Sequence, residues 1–445
     1  MRLPEEFISR QTSLLKDEIK LYLSCMENNC ERALRVNPLK GSVCDFLSSN
    51  PFGITDADRV PWCPEGFYYK EESYPGRHPL FNSGAYYIQE PSAMSPVEEL
   101  LIEENDKVLD LCASPGGKST QIAGKLSNTG ILVSNEPFPI RAKVLSENIE
   151  RMGIANSIVV SHEPKDLSER FEGYFNKILV DAPCSGEGMF RKNPESIAEW
   201  SPENVLMCAE RQKDILKEAV KMLSPGGRMV YSTCTFSKEE NEDNVEWLLN
   251  DHPELKLIKK ERLLPYMVRG EGHFYAVFEK EGNAPKGFLS TNGNNDKRRK
   301  ADEKKYADCF DFEKENLNIK IFDIFNDGAQ IVNFKDELHL VPSGFPSVDR
   351  LKVLRLGLHL GTLKKNRFEP SFALAMYLKP DMVKKSVSYD HDTAERYLKG
   401  ESIPATGGTK DGWNLITVDG YSLGWGKASN NMMKNHYPKG LRINR

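Results

Sequence analysis

Between residues 92 and 281 short apolar runs alternate with amphipathic stretches. Val108-Leu109-Asp110-Leu111, Ile131-Leu132-Val133-Ser134, Ile158-Val159-Val160, Ile178-Leu179-Val180 and Met229-Val230-Tyr231 are too short for helices and rich in branched residues, so they predict buried strands. Between the last two, Val205 to Leu223 sets Leu216, Ala219, Val220 and Leu223 on one face at helical spacing. Strands alternating with helices predict an α/β, Rossmann-like fold, with a mostly parallel sheet covered on both faces. Ligands in such folds sit beyond the carboxyl ends of the strands.

The flanking regions read differently. Residues 1–91 hold a predicted helix from Leu14 to Met26, mixed segments at Ala33–Pro38 and Val60–Cys63, and the aromatic stretch Phe67-Tyr68-Tyr69. They predict a small α/β, nucleic-acid-binding module whose Tyr68 and Tyr69 belong to a core, with stacking on bases as the alternative. Residues 282–306, rich in Gly, Asn, Lys and Asp and holding Lys297-Arg298-Arg299-Lys300, predict a flexible linker. An intermediate domain follows at 307–385, with strands expected at Ile319–Phe322 and Ile331–Phe334, and a β-rich module at 386–445.

Composition narrows the class. The chain has 445 residues, 39% hydrophobic and 28% charged, with a net charge of −5. That is ordinary for a globular protein and speaks against nucleic-acid binding by bulk charge alone. No apolar run approaches the ~20 residues of a membrane helix, and Glu5, Glu6, Asp17 and Glu18 argue against a secretory leader. Nine cysteines without a C-x-x-C pair point to a reducing, cytoplasmic setting with no metal centre. The last module has no acidic residue from Tyr421 onward, whereas Lys427, Lys434, Lys439 and Arg442 are basic, which points to a phosphate-binding face, with a solvated surface as the alternative.

The chemistry lies at the predicted strand ends. Asp110 is followed by Leu111-Cys112-Ala113-Ser114-Pro115-Gly116-Gly117-Lys118, a Gly-rich turn opening a helix. Its glycines let backbone N–H groups approach a ligand, but it lacks the first Gly of a phosphate-binding loop and the spacing of a dinucleotide fingerprint. Glu136, Glu163 and Asp181 stand at successive strand ends. Glu136 is placed to accept ribose hydroxyls and Glu163 to accept from adenine. A Gly-rich turn with three acids suits a nucleoside bearing a cationic sulfonium, which is S-adenosylmethionine.

Two cysteines follow neighbouring strand ends, in Asp181-Ala182-Pro183-Cys184-Ser185-Gly186-Glu187-Gly188 and in Tyr231-Ser232-Thr233-Cys234-Thr235-Phe236. Amine methylation needs no thiol. Carbon 5 of cytosine is a poor nucleophile until a thiolate adds to carbon 6, and its proton must leave before the thiol is eliminated. One thiol as nucleophile and one aiding release fits that sequence, with Asp181 holding the ring amino group or ring nitrogen and Lys118 positioning Asp181. The spacing does not rank the two thiols.

At these residues the chain resembles the Nop/Sun family of RNA 5-methylcytosine methyltransferases. The likeness rests on Arg35-Val36-Asn37-Pro38, Gln89-Glu90-Pro91-Ser92-Ala93-Met94, the Gly-rich motif, Asp-Ala-Pro-Cys-Ser-Gly-Glu-Gly and Ser-Thr-Cys-Thr-Phe, which span most of the first 280 residues. It implies a class I methyltransferase core, Cys234 as nucleophile, Cys184 as helper in release, Cys112 to Lys118 against the methionine moiety, Glu136 on the ribose and an active-site role for Asp181. The third acid is commonly Asp in that family; here it is Glu163. Arg355-Leu356-Gly357, Arg367-Phe368-Glu369-Pro370-Ser371, Gly424-Trp425-Gly426-Lys427 and Lys434 to Arg442 resemble the family's bacterial 16S ribosomal RNA branch. That likeness implies a PUA-like RNA-binding last module and a decoding-region cytosine of 16S rRNA within the 30S subunit as target, with no membrane and no obligate protein partner. A tRNA substrate, or a non-catalytic ribosome-assembly role, are the alternatives.

Overall fold

The computed structural model describes residues 3–283, 295–325, 328–342, 344–406 and 409–443. The predicted helix over 14–26 is broken: Lys16 turns left-handed (φ 51°), so a helix at Glu5–Leu15 ends and another runs over Ile19–Cys25 after one tight turn. Phe7, Leu15 and Tyr22 of these helices pack on Phe190, Trp200 and Phe236. Strands β1 (Ala33–Val36), β2 (Gly66–Tyr68) and β3 (Tyr86–Gln89) form an antiparallel sheet in the order β2-β1-β3. Tyr68 is buried as expected, and its hydroxyl donates to the Arg269 carbonyl.

The central sheet comprises β4 (Lys107–Asp110), β5 (Ile131–Asn135), β6 (Ser157–Val160), β7 (Phe175–Asp181), β8 (Leu223–Thr233), β9 (Leu255–Leu263) and β10 (His273–Lys280). Their order is β6-β5-β4-β7-β8-β10-β9, parallel from β6 to β8, with β10 antiparallel to both β8 and β9. Alternate residues bury opposite faces. Leu109, Val133, Ile158, Ile178 and Tyr231 enter one core, and Val108, Leu132, Val159, Leu179 and Val230 the other. Burial on both faces is why these strands read as continuous apolar runs. The chain leaves β4 toward β5 on one side and β7 lies on the other, so a cleft opens beyond the carboxyl ends of β4 and β7.

An eighth strand, Val353–Leu356, comes from the intermediate region and pairs antiparallel with β6, closing that edge. Of the stretch expected as a linker, residues 284–294 lie outside the described residues, and Asn295–Lys305 is a helix. A second helix, Ala307–Asn316, leads to a four-stranded antiparallel sheet: Ala329–Phe334, Glu337–Pro342, Leu358–Lys364 and Arg367–Pro370. The strand expected at Ile319–Phe322 is absent. Ile321–Ile324 is a tight helical turn, with the Ile321 amide donating to the Glu313 carboxylate and Ile321, Phe322 and Ile324 buried. The last module is a five-stranded sheet built on Gly412–Val418 and Tyr421–Ser429. It shares one core with the first module, where Leu34, Phe46 and Tyr86 pack with Tyr397, Leu423 and Tyr437. Among the described residues no helix is long and apolar enough to cross a membrane.

Candidate active site

Parallel pairing of β7 and β8 sets Asp181 opposite Ser232, so the loops that follow leave the sheet side by side. Cys184 and Cys234 then meet with their sulfurs 3.3 Å apart. The loops are clamped together: the Gly188 amide donates to the Cys234 carbonyl at 2.9 Å, and the Ser185 and Thr235 hydroxyls lie 2.8 Å apart. A Cβ on Gly188 would lie 3.0 Å from that carbonyl, so any side chain there would press the two loops apart.

Two buried glutamates hold the clamp from behind. Glu187 accepts from the Phe236 amide, the Ser237 hydroxyl, the Trp200 indole and Gln11. Glu240 accepts from the Ser185 amide and hydroxyl and from Gln212. Burial pushes Glu240 up to about 7, against the Ser185 hydrogen bonds.

Asp181 is half-buried at the end of β7, and burial alone would raise its pKa. The Lys118 ammonium at 2.7 Å and His273 reverse this and hold it well below the carboxylate range. The Ser232 hydroxyl donates to its other oxygen at 2.8 Å, and His273 Nε2 stands 3.5 Å from that oxygen. Cys184 is pushed well above the usual thiol value, first by its hydrogen bond with Cys234 and then by burial.

The Gly-rich turn runs from Leu111 to Gly117, where the helix Gly117–Leu126 begins. Gly116 has φ 114°, a conformation that L side chains rarely adopt. Cys112 sits among Asp110, Asp181 and Glu136, and burial followed by those carboxylates raises its thiol. Ala113 is tied by its amide to the Asn135 carbonyl, and the Pro115 carbonyl accepts from Asn148. The Ser114 hydroxyl donates to Arg141 O. Glu136, 2% exposed just past β5, accepts from the Phe138 amide and lies 3.4 Å from Arg141. Glu163 lies exposed past the end of β6 and opens the turn Pro164–Ser168 without capping it.

Asp110 was not singled out from sequence. It is fully buried, its Oδ2 accepts from Ser119, its Oδ1 has no partner, and burial pushes it up to about 7. An orphaned oxygen beside a glycine turn and a buried strand-end glutamate fits a cleft made to be completed by a polar nucleoside. His273, Ser232, Glu187 and Glu240 were missed as well. His273 enters through β10, which pairs Phe274 with Thr233, and no local spacing announces that pairing.

The basic residues of the last module divide. Lys427 and Lys434 are exposed cross-strand partners, and Lys427 lies 5.5 Å from the Trp413 ring. They line a groove of about 770 Å³ that also carries Arg367, Lys385 and the acids Asp308, Asp311, Glu315, Glu369 and Asp411. Lys439 is exposed elsewhere, whereas Arg442 is half-buried against Gly400. Tyr437 packs on Phe372 and Tyr397.

Residues 97–278 match the family model described as 16S rRNA methyltransferase RsmB/F. Residues 3–91, 311–378 and 384–443 match those described as the N-terminal, first C-terminal and PUA domains of RsmF. The chain is 31% identical to ribosomal RNA small subunit methyltransferase F of Vibrio cholerae, over 99% of this chain and 97% of that protein. It is 30% identical to the protein of the same description from Escherichia coli, over 98% and 96%. A solved methyltransferase homologue from Pyrococcus horikoshii superposes with TM-score 0.54 at 29% identity, covering 62% of this chain and 95% of that one. NSun6 from the same organism, solved with SFG, shares the fold with TM-score 0.56 at 23% identity, over 63% and 99%. With that likeness running from end to end, the chain belongs to the ribosomal RNA small subunit methyltransferase F family, the bacterial 16S rRNA branch of the S-adenosylmethionine-dependent Nop/Sun methyltransferases.

Proposed function

We propose that this chain methylates carbon 5 of a cytosine in the decoding region of 16S rRNA, within the 30S subunit, through a covalent adduct on Cys234. The supporting observation is the pair of thiols 3.3 Å apart beside an ionised, Lys118-bound Asp181. Cys184, whose pKa is raised first by its contact with Cys234 and then by burial, keeps its proton beside the Cys234 sulfur. The family resemblance makes Cys234 the nucleophile.

The Cys234 sulfur forms a bond to carbon 6, and the ring electrons move toward carbon 5 and the amidine nitrogen. Asp181, held ionised, accepts a hydrogen bond from the 4-amino group or the protonated ring nitrogen, and Lys118 fixes its orientation. When bound, S-adenosylmethionine would supply an electrophilic methyl group for carbon 5. Residues Cys112 to Lys118 line the methionine side of the cleft, Glu136 takes the ribose hydroxyls and Glu163 the adenine side. Adduct formation turns Cys234 into a thioether, which removes the first cause of the high Cys184 pKa. Cys184 then releases its proton to solvent, its thiolate takes the carbon 5 proton, the carbon 5–carbon 6 double bond re-forms, and the Cys234 thiolate leaves. A stacked base cannot reach both thiols, so the cytosine is flipped or already unpaired. Lys427, Lys434, Lys439 and Arg442 contact RNA phosphates.

Methyl transfer from labelled S-adenosylmethionine to 30S subunits, naked 16S rRNA and tRNA, with bisulfite mapping, tests this reading. A 5-methylcytosine in the decoding region of 30S subunits is expected. Label in tRNA alone removes the substrate assignment, and no label despite cofactor binding removes the catalytic one. Cys184→Ala is expected to accumulate a protein–RNA adduct on denaturing gels, and its absence counts against the release role.

A further inference from the structure

The face of the four-stranded sheet in the intermediate region holds a cluster that methyl transfer does not use. Glu337 and His339 are two residues apart on the strand Glu337–Pro342, so both project from one face. His359 lies directly opposite His339 on Leu358–Lys364. The ladder there slips by one residue between Leu338 and His339, and such bulges re-aim side chains. The two imidazoles stack with centroids 4.8 Å apart and planes 22° apart.

The hydrogen bonding leaves this cluster short of partners. His339 Nδ1 lies 3.0 Å from the Leu356 carbonyl, which can only accept, so Nδ1 bears the proton and Nε2 presents a lone pair. His359 Nε2 is buried without any partner. One ring nitrogen of each histidine and a Glu337 carboxylate oxygen lie within 4.8 Å of one another. Burial disfavours an imidazolium on either ring. The nearby Arg355 is spoken for by Glu150 at 3.1 Å. A second cluster, Cys63, Glu65 and Glu98, differs in one respect: the Lys125 ammonium already sits 3.2 Å from Glu65 and 3.0 Å from Glu98. That cluster has its cation; among the described residues no ion pair is made by Glu337, His339 or His359.

We infer that Glu337, His339 and His359 form a binding site for one divalent first-row transition cation of the zinc or cobalt kind, with water completing the coordination. Two imidazoles and a carboxylate are the ligand types such ions prefer, and a carbonyl acceptor behind a ligating histidine is the usual outer support. The ion pins two strands that are neighbours in space but separated by the segment 343–357. Because the supporting carbonyl belongs to Leu356, on the strand added to β6, the ion also stiffens the junction with the central sheet.

Titration of the metal-free full chain with cobalt(II) chloride tests this, because cobalt reports its ligands optically. One equivalent should bind with visible d–d bands and without the near-ultraviolet charge transfer of thiolate ligation. His359→Asn and His339→Phe should abolish that equivalent, and Glu337→Gln, at an exposed position, should weaken it about tenfold. Thermal melting of each variant without metal reports whether it folds; only the wild-type chain should gain stability on adding zinc. A thiolate band, an equivalent that survives both histidine substitutions, or no binding at millimolar cobalt overturns the assignment.

Discussion

The cleft beyond β7 and β8 and the basic face of the last module handle charge in opposite ways. At the active site the central ionisable groups are held by named partners: Lys118 on Asp181, Ser119 on Asp110, four donors on Glu187. On the basic face Lys427, Lys434 and Lys439 stand exposed. Preorganised charge in a water-poor site acts strongly on a small reacting group. Exposed lysines act weakly and additively on a polyanion, at a distance set by salt. The contrast predicts steep, specific losses in one region and graded, salt-sensitive ones in the other.

The steepest loss is expected for Cys234→Ala: turnover below detection with cofactor affinity little changed, read by single-turnover methylation and by calorimetry with the cofactor. Normal turnover would move the nucleophile elsewhere. Next, Asp181→Asn keeps the shape but removes the charge that Lys118 and Ser232 address, and kcat should fall about 10²–10³-fold. If KM changes and kcat does not, Asp181 binds rather than assists.

A smaller effect concerns stability. The folded-state pKa of Asp110, about 7, lies above its ordinary value, so folding takes up a proton between pH about 4 and 7. The associated stability is present below that window and lost as pH rises through 7, on the order of 4 kcal/mol. Asp110→Asn should flatten this part of the stability–pH profile measured by urea unfolding. A slope unchanged from wild type would mean that Asp110 is ionised in the fold. The smallest effect is expected for Lys427→Gln with Lys434→Gln: kcat on saturating RNA unchanged, and the salt dependence of RNA binding reduced in slope by about one per lysine.

The same contrast explains what the sequence disclosed. The parallel strands were legible because burial on both faces leaves unbroken apolar runs, and each strand-end motif lies within a few residues of its strand. Asp181, Cys184 and Cys234 were therefore visible as chemistry. His273 was not, because it reaches Asp181 only through the pairing of β10 with β8, which no nearby residue encodes. Asp110 was passed over as the last residue of an apolar strand, and its missing partner exists only in three dimensions. The turn at Ile321–Ile324 read as a strand because its isoleucines are buried, and burial alone does not distinguish the two. On the basic face, charge was readable but its surroundings were not: the acids of the 307–316 helix share the groove with Lys427 and Lys434.

The strand Val353–Leu356 has a consequence for how the protein can be divided. It supplies backbone partners to β6, with the Gly357 amide also donating to Ser157. A catalytic fragment cut after residue 283 would keep every residue named in the chemistry, yet it would present β6 as a bare edge ready to pair with another molecule. The C-terminal part thus covers an open edge of the enzyme's own sheet through Val353–Leu356. Separated from it, the fragment should grow into oligomers as its concentration rises, and the excised part, added back in trans, should keep it monomeric.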